Sequence, residues 1–287
     1  DEVLLTDHAY GAVRRIWQRR CQSQRCSLAN VALPDPIESV GQVVDTITRA
    51  VTDRTKLLVI SHITSATAIT LPIAEIINRV QPLGVAVCID GPHAVAQLPL
   101  NIETLGCDFY AASCHKWLSA PLGTGFLYVR PRWADHIRPP VLSWGKQDTG
   151  KATGHWTDEF DWLGTRSPAG HLAVSTAINF LREYGLAQFR EQTHALAKYA
   201  RSQLIQFASR EPIVPDDSKW YSAMAHTPLP NGDAKSLQIA LWEKYGVEVP
   251  IIEFAGQRWI RVSCHLYTKE SHIEALVEVL RDLLRRE

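Results

Sequence analysis

A lysine directly after an apolar, strand-like run is uncommon, and this chain has one: Asp108–Ser113 leads into Cys114-His115-Lys116-Trp117-Leu118. Burial disfavours the charged ammonium, so a lysine placed there is suited to act as a neutral amine that condenses with a carbonyl. The ordinary alternative is a lysine whose stem covers apolar surface while its head stays in water. Upstream, Ile89-Asp90-Gly91-Pro92-His93 sets a carboxylate at the end of another apolar run and follows it with glycine. That arrangement projects an acid into a crevice; by itself it reads equally as a turn or helix-cap aspartate. The stretch Pro121-Leu122-Gly123-Thr124-Gly125 would let backbone approach a ligand closely.

Together the two segments suit pyridoxal phosphate. That cofactor requires a lysine for covalent attachment, an acid beside its pyridine nitrogen, and hydroxyl, imidazole or backbone donors for its phosphate. A carboxylate at the ring nitrogen favours the protonated ring, which then withdraws electrons from a substrate Cα.

The elements that must position these residues follow from periodicity. Short apolar runs at Val3–Thr6, Ser27–Leu33, Leu57–Ser61, Val85–Asp90, Asp108–Ser113 and Gly125–Val129 read as strands. Helical patterns lie between them at Tyr10–Arg20, Ser39–Val51 and Pro72–Val80. The alternation predicts an α/β fold, a mainly parallel sheet with helices on both faces. Ligands in such sheets bind outside the carboxyl ends of the strands, where Ser61-His62, Asp90-Gly91 and Ser113 to Lys116 stand. Val141–Thr165 lacks periodicity and is rich in Trp, Gly and Asp, the pattern of a long functional loop. Helices are expected at Pro168–Tyr184 and Leu186–Arg210. A compact C-terminal α+β unit then follows: strand Ser222–His226, helix Ala234–Tyr245, strands Val247–Ile251 and Arg258–His265, and helix Lys269–Arg286. The division expected is a large domain over 1–188 and a smaller one over 189–287.

Composition narrows the partners. Lys+Arg 30 balances Asp+Glu 30, which leaves no basic excess for a nucleic-acid footprint. Hydrophobic content of 46% and charged content of 21% are those of an ordinary globular chain. No apolar run approaches the roughly 20 residues of a membrane-spanning helix. The scattered cysteines Cys21, Cys26, Cys88, Cys107, Cys114 and Cys264 form no CxxC pair and no zinc-ligand spacing. Reduced thiols in a cytoplasmic protein are the expectation. The chain opens on Asp1 as though already entering a strand, without initiator Met or signal peptide, and reads as one that lacks its natural N-terminus.

Asp90-Gly91-Pro92-His93 with Ser113-Cys114-His115-Lys116 resembles the signature of class V aminotransferases, which have the fold type I architecture. Within that family the chain resembles the isopenicillin N epimerase-like branch. Thr6-Asp7-His8-Ala9-Tyr10-Gly11-Ala12, Ser61-His62-Ile63-Thr64-Ser65-Ala66-Thr67 and Gly164-Thr165-Arg166-Ser167-Pro168 carry that likeness.

The resemblance implies roles by position. Lys116 would anchor pyridoxal phosphate and later move the Cα proton, and Asp90 would pair with the ring nitrogen. His93 would approach the phenolic oxygen, and Ser113 and His115 the phosphate. Tyr10 would stack on the ring face, with His8 the second choice, and Ser65 would make a polar contact to cofactor or substrate. Arg261, in Trp259-Ile260-Arg261-Val262-Ser263, would grip the substrate carboxylate as a bidentate fork. Thr165 would reach the phosphate of a neighbouring subunit, so the resemblance implies a homodimer with shared active sites. Each polar group keeps its ordinary alternative: Ser65 as a satisfied loop hydroxyl, Arg261 as a strand residue facing solvent.

Three departures accompany the likeness. The family carries an N-terminal segment, absent here, that supplies a Gly/Thr phosphate loop and part of the dimer surface. Ser167 stands where the branch has Asp. The run 249–257 lacks the mobile-loop cysteine of sulfur-extracting desulfurases, and Cys264 lies beyond Arg261. The implied activity is therefore that of a pyridoxal-phosphate enzyme acting at an amino-acid Cα. Epimerisation leads, C–S lysis or transamination are the alternatives, and a non-catalytic dimeric remnant of the fold is the reading from another class.

Overall fold

The computed structural model describes residues 1–145 and 155–285. Six strands form one sheet: β1 (Glu2–Thr6), β2 (Ser27–Val31), β3 (Thr55–Ser61), β4 (Ala86–Asp90), β5 (Phe109–Ser113) and β6 (Gly125–Val129). Their order is β2-β1-β3-β4-β5-β6. β1 to β5 run parallel and β6 closes the edge antiparallel to β5. Strand period two explains why helices cover both faces. Val3, Leu5 and Val59 point to one face, under Val13, Trp17 and Cys21 of the helix Gly11–Gln24. Leu4, Leu58 and Ile60 point to the other, packed with Val43 and Ile47 of Val40–Ala50 and Ile76, Ile77 and Val80 of Ile73–Val80.

The first two helices end as their sequences dictate. Ser39 caps Val40–Ala50 by accepting from the Gln42 amide. Gly11–Gln24 runs four residues past the expected end, until Arg25 turns left-handed at φ 56° and its neighbour Cys26 returns an amide to Cys21.

The C-terminal part holds a second sheet, β7 (Met224–Pro228), β8 (Ile251–Phe254) and β9 (Gln257–Ser263), antiparallel in the order β7-β9-β8. The helices Leu186–Leu204, Ala234–Tyr245 and Glu270–Leu284 bury Ala197, Ala200, Leu204, Leu237, Leu241, Leu276 and Leu280 against Ile260 and Val262 of that sheet. The proposed division at 188 falls in the first turn of Leu186–Leu204, after Gly185 at φ 97°.

Several expected boundaries move, for identifiable reasons. The strand expected at Val247–Ile251 is instead Ile251–Phe254, because Pro250 has no amide to give and only its carbonyl meets β9, accepting from Arg261. The strand expected from Ser222 begins at Met224, since the Ala223 amide goes to Gln97 Oε1 at 2.9 Å. Pro168–Tyr184 is divided into Ala169–Leu172 and Val174–Tyr184, and Leu186–Arg210 ends at Leu204 with a tight turn to Phe207. Within Val141–Thr165 a helical turn occupies Asp158–Asp161, while residues 146–154 of that loop, and Arg286, lie outside the described residues. Among the described residues no helix is long and apolar enough to cross a membrane.

Candidate active site

Strand order 2-1-3-4-5 reverses at β1/β3, and a crevice opens there outside the carboxyl ends. Ser61 and Asp90 are register partners at that edge, and Ser113 ends β5 beside them. Each of the loops after β3, β4 and β5 holds a non-glycine residue in left-handed conformation: Ala68 (φ 55°), Ala96 (φ 66°) and Ser119 (φ 59°). Such conformations are uncommon and gather where surrounding structure holds a functional segment in place.

A cleft of about 530 Å³ at this edge is lined by Tyr10, Ser65, His93, His115, Lys116, Trp117, Arg261, Ser263, His265 and Tyr267. Lys116 Nζ lies 3.1 Å from His93 Nε2. Trp117 Nε1 donates to His93 Nδ1 at 3.2 Å. The His93 carbonyl accepts from Gln97 Nε2 at 2.6 Å, and Gln97 also receives Ala223. His115 Nδ1 lies 3.3 Å from the Thr124 carbonyl. Arg261 donates through one terminal nitrogen to the Ser65 carbonyl and lies 3.4 Å from Ser65 Oγ. Its Nε is buried and unpartnered among the described residues.

Asp90 stands behind the lysine. Its carboxylate accepts from Ser61 Oγ at 3.4 Å. Burial raises its pKa, and Lys116 and Ser61 oppose that rise. Burial likewise lowers the Lys116 pKa, with Asp90 opposing and Arg261 reinforcing the change. The His93 imidazole is pushed down to about 3, first by burial and then by the cations Lys116 and Arg261. Lys116 and His93 are therefore biased toward their uncharged forms.

Gly91 explains how β4 delivers Asp90. A Cβ at Gly91 would stand 2.1 Å from Tyr110 Cε1. Tyr110 has no room to yield, since it is buried and its hydroxyl bonds His62 Nδ1 at 3.0 Å. Gly91→Ala is expected to cost about 1–3 kcal/mol or more by overpacking. The denaturant midpoint checks this; an unchanged midpoint would show that Tyr110 moves freely.

His62 is buried and held down to about 4, and fully buried His226 to about 3, in both cases first by desolvation. Such a base stays neutral in the fold while the unfolded chain gains a proton, so its contribution is intact above pH 6.5 and is lost as pH falls towards 4. For His62 the loss is on the order of 3 kcal/mol. Urea unfolding at pH 6.5 and 4 measures it, and His62→Gln should flatten the difference.

Other expected residues are placed elsewhere. His8 is turned into the protein, its Nδ1 2.7 Å from Thr67 Oγ1 and its ring 4.5 Å from Phe254, so it does not line the cleft. Ser113, the partly exposed last residue of β5, pairs with Gly125 and leads by two residues into His115 at the cleft, though it is not itself among the lining residues. Thr165 is exposed and outside the cleft. Ser167 is exposed and accepts from the Ala169 amide at 3.4 Å. Nothing in the structure explains the serine in place of aspartate at this position.

Trp117, Ser263, His265 and Tyr267 join the site without having been singled out. Arg261, Ser263 and His265 alternate along β9 and its extension, so the period-two rule applied to Arg261 would have found the other two. Cys264, on the opposite face, is wholly buried and its thiol is pushed up to about 12 by desolvation, far from a thiolate nucleophile.

Comparison with known proteins agrees with this geometry. Residues 1–276 match the family model Aminotransferase class-V. Isopenicillin N epimerase of Amycolatopsis lactamdurans is 33% identical over 293 residues, covering 98% of this chain and 74% of the relative. The Streptomyces clavuligerus isopenicillin N epimerase is 31% identical over 290 residues, covering 97% and 73%. Among solved structures, a mutant of the cystine C–S lyase C-DES with glycine covalently linked to its PLP cofactor superposes with TM-score 0.83. It is 22% identical and covers 98% of this chain and 74% of that one, a likeness of fold.

Proposed function

The chain belongs to the class-V aminotransferase family, and on that premise we propose that it uses pyridoxal phosphate to act at the α-carbon of an amino acid, as an epimerase of the isopenicillin N epimerase kind. The carrying observation is the Lys116 amine against His93 in a cleft that also holds Arg261, with Asp90 desolvated behind it.

The residues present fit the cofactor. The cleft lining supplies the Lys116 amine, the imidazoles of His93, His115 and His265 and the Arg261 guanidinium, and the Asp90 carboxylate at the end of β4 acts on Lys116. Lys116 would hold the cofactor covalently, Asp90 its ring nitrogen, His93 its phenolic oxygen, and Ser113 and His115 its phosphate. Tyr10, half exposed at the cleft, would cover the ring face. When bound, the cofactor supplies an electron sink for the pair left at Cα. Lys116 would take the Cα proton at Nζ. Arg261 orients the substrate through its carboxylate, and the Ser65 carbonyl holds the guanidinium in place. Epimerisation would be completed by a proton drawn from water on the opposite face of Cα, with Lys116 releasing its own to solvent.

Removing the guanidinium fork separates binding from chemistry. Arg261→Lys is expected to raise KM about 10- to 100-fold, the worth of a charge-assisted contact, with a smaller change in kcat. Steady-state kinetics check this; an unaltered KM would remove Arg261 from substrate binding.

A C–S lyase is the second reading, supported by the fold shared with C-DES. Incubation with amino acids in deuterated water separates the possibilities. Inversion with deuterium at Cα supports the epimerase, pyruvate with released thiol the lyase, and a keto acid the aminotransferase. The buried Cys264 argues against a desulfurase that carries sulfur on that thiol.

A homodimer with Thr165 serving the neighbouring site is part of the proposal. Leu122, Trp144 and Leu172 expose 87%, 82% and 70% of their surface. Gly170 sits against Thr124 and Pro121, bringing the Leu172 and Leu122 segments together. Apolar exposure of this kind beside the edge strand β6, whose outer side has no strand partner among the described residues, fits burial against a second copy.

A further inference from the structure

We propose that Trp117 is a positioning residue that fixes the tautomer of His93 and so presents Lys116 to the cleft as an uncharged, nucleophilic amine. Which atoms have protons to give decides the arrangement. An indole nitrogen only donates. Trp117 Nε1 lies 3.2 Å from His93 Nδ1, so Nδ1 accepts and the neutral ring carries its proton on Nε2. That Nε2–H faces Lys116 Nζ at 3.1 Å. A donor at this distance requires a lone pair opposite it, and only the uncharged amine has one; an ammonium would set proton against proton. The lowered pKa values of His93 and Lys116 act in the same direction.

Trp117 is itself held in place. Its side chain is buried, with 5% exposed. Its ring stacks on His265 at 5.7 Å between centroids. The Trp117 carbonyl accepts from His265 Nε2 at 3.2 Å, and the same nitrogen lies 3.4 Å from Ser119 Oγ. The histidine beyond β9 thus braces the turn that carries the lysine, and the indole passes that order on to His93. On the other side the Gln97 contact to the His93 carbonyl fixes the imidazole's backbone.

One consequence rests on the proposed function. When Lys116 is engaged with the cofactor, the same Nε2–H becomes a donor that the cleft offers to an anionic oxygen. A histidine protonated instead on Nδ1 would present a lone pair there and repel it.

The test reads the tautomer in the full chain without cofactor. Long-range proton–nitrogen correlation on ¹⁵N-histidine protein, with His93 assigned through His93→Gln, is expected to show Nε2–H and an unprotonated Nδ1. Trp117→Phe should shift the tautomer ratio about fivefold toward Nδ1–H, the equivalent of one neutral hydrogen bond. It should also slow trinitrophenylation of Lys116. Should the phenylalanine variant fail to fold, 3-benzothienylalanine at position 117 keeps the ring shape and removes only the N–H. An Nδ1–H tautomer in the unmodified chain, or an unchanged ratio in a folded variant without the indole N–H, would overturn the proposal. Failure to take up pyridoxal phosphate would instead count against the proposed function and leave the tautomer result standing.

Discussion

Lys116→Ala is expected to yield a folded chain that binds no borohydride-reducible cofactor and turns over amino acids at least about 10³-fold more slowly. The fold should survive because the amine reaches into an open cleft and, among the described residues, its hydrogen-bond partner is His93. Chemistry should not survive, since the change removes both the covalent anchor and the group that moves the Cα proton. The fall is expected in kcat at every pH, because no titratable group is left at that position. Thermal unfolding, the visible absorbance band and turnover measured on one preparation separate these effects. Activity retained within tenfold would mean that another residue moves the proton.

Asp90→Asn should produce two effects of opposite sign. Turnover is expected to fall about 10²- to 10⁴-fold, because a neutral amide cannot hold the cofactor ring protonated. Stability of the chain without cofactor is expected to rise at neutral pH. The sign follows from the raised pKa of Asp90, whose main cause is burial. A carboxyl that binds its proton more tightly in the fold than in the unfolded chain costs stability when ionised. That cost is complete above the folded pKa and disappears as pH falls below the unfolded value of 3.8. Asparagine retains the acceptor for Ser61 Oγ and carries no charge to desolvate. The comparison is therefore a melting curve and a turnover number for the same variant at pH 7. A variant both less active and less stable would identify Asp90 as an ordinary structural carboxylate. Taken with Lys116→Ala, the pair distinguishes a residue placed for chemistry from one placed for the fold.

Much of this arrangement was legible in the chain because strand ends are legible. β6 occupies the expected Gly125–Val129, and β4 and β5 end on Asp90 and Ser113, where the apolar runs stop. In a parallel sheet those ends converge on one edge, so Ser61, Asp90 and the Lys116 turn could be grouped before any coordinates. Tyr10, Ser65 and Arg261 arrive at the cleft on loops and a strand distant in sequence, and the family resemblance named them. What escaped the sequence was of a different physical kind. Whether His8 or Tyr10 faces the cleft depends on Thr67 and Phe254, which capture the histidine from opposite parts of the chain. The partnership of Trp117 with His93 and His265 spans 24 and 148 residues and follows no period. The shift of β8 to Ile251 could have been anticipated, since Pro250 has no amide to contribute to a ladder.

Of the chain's lysines, Lys116 is the one proposed to carry pyridoxal phosphate. Incubation of the chain with pyridoxal phosphate, reduction with borohydride and peptide mass mapping tests it directly. A visible absorbance band that disappears on reduction, with the added mass on Lys116 and no other lysine, is the predicted result. A colourless protein, or a label spread over surface lysines with Lys116 unmodified, would remove Lys116 as the cofactor's anchor.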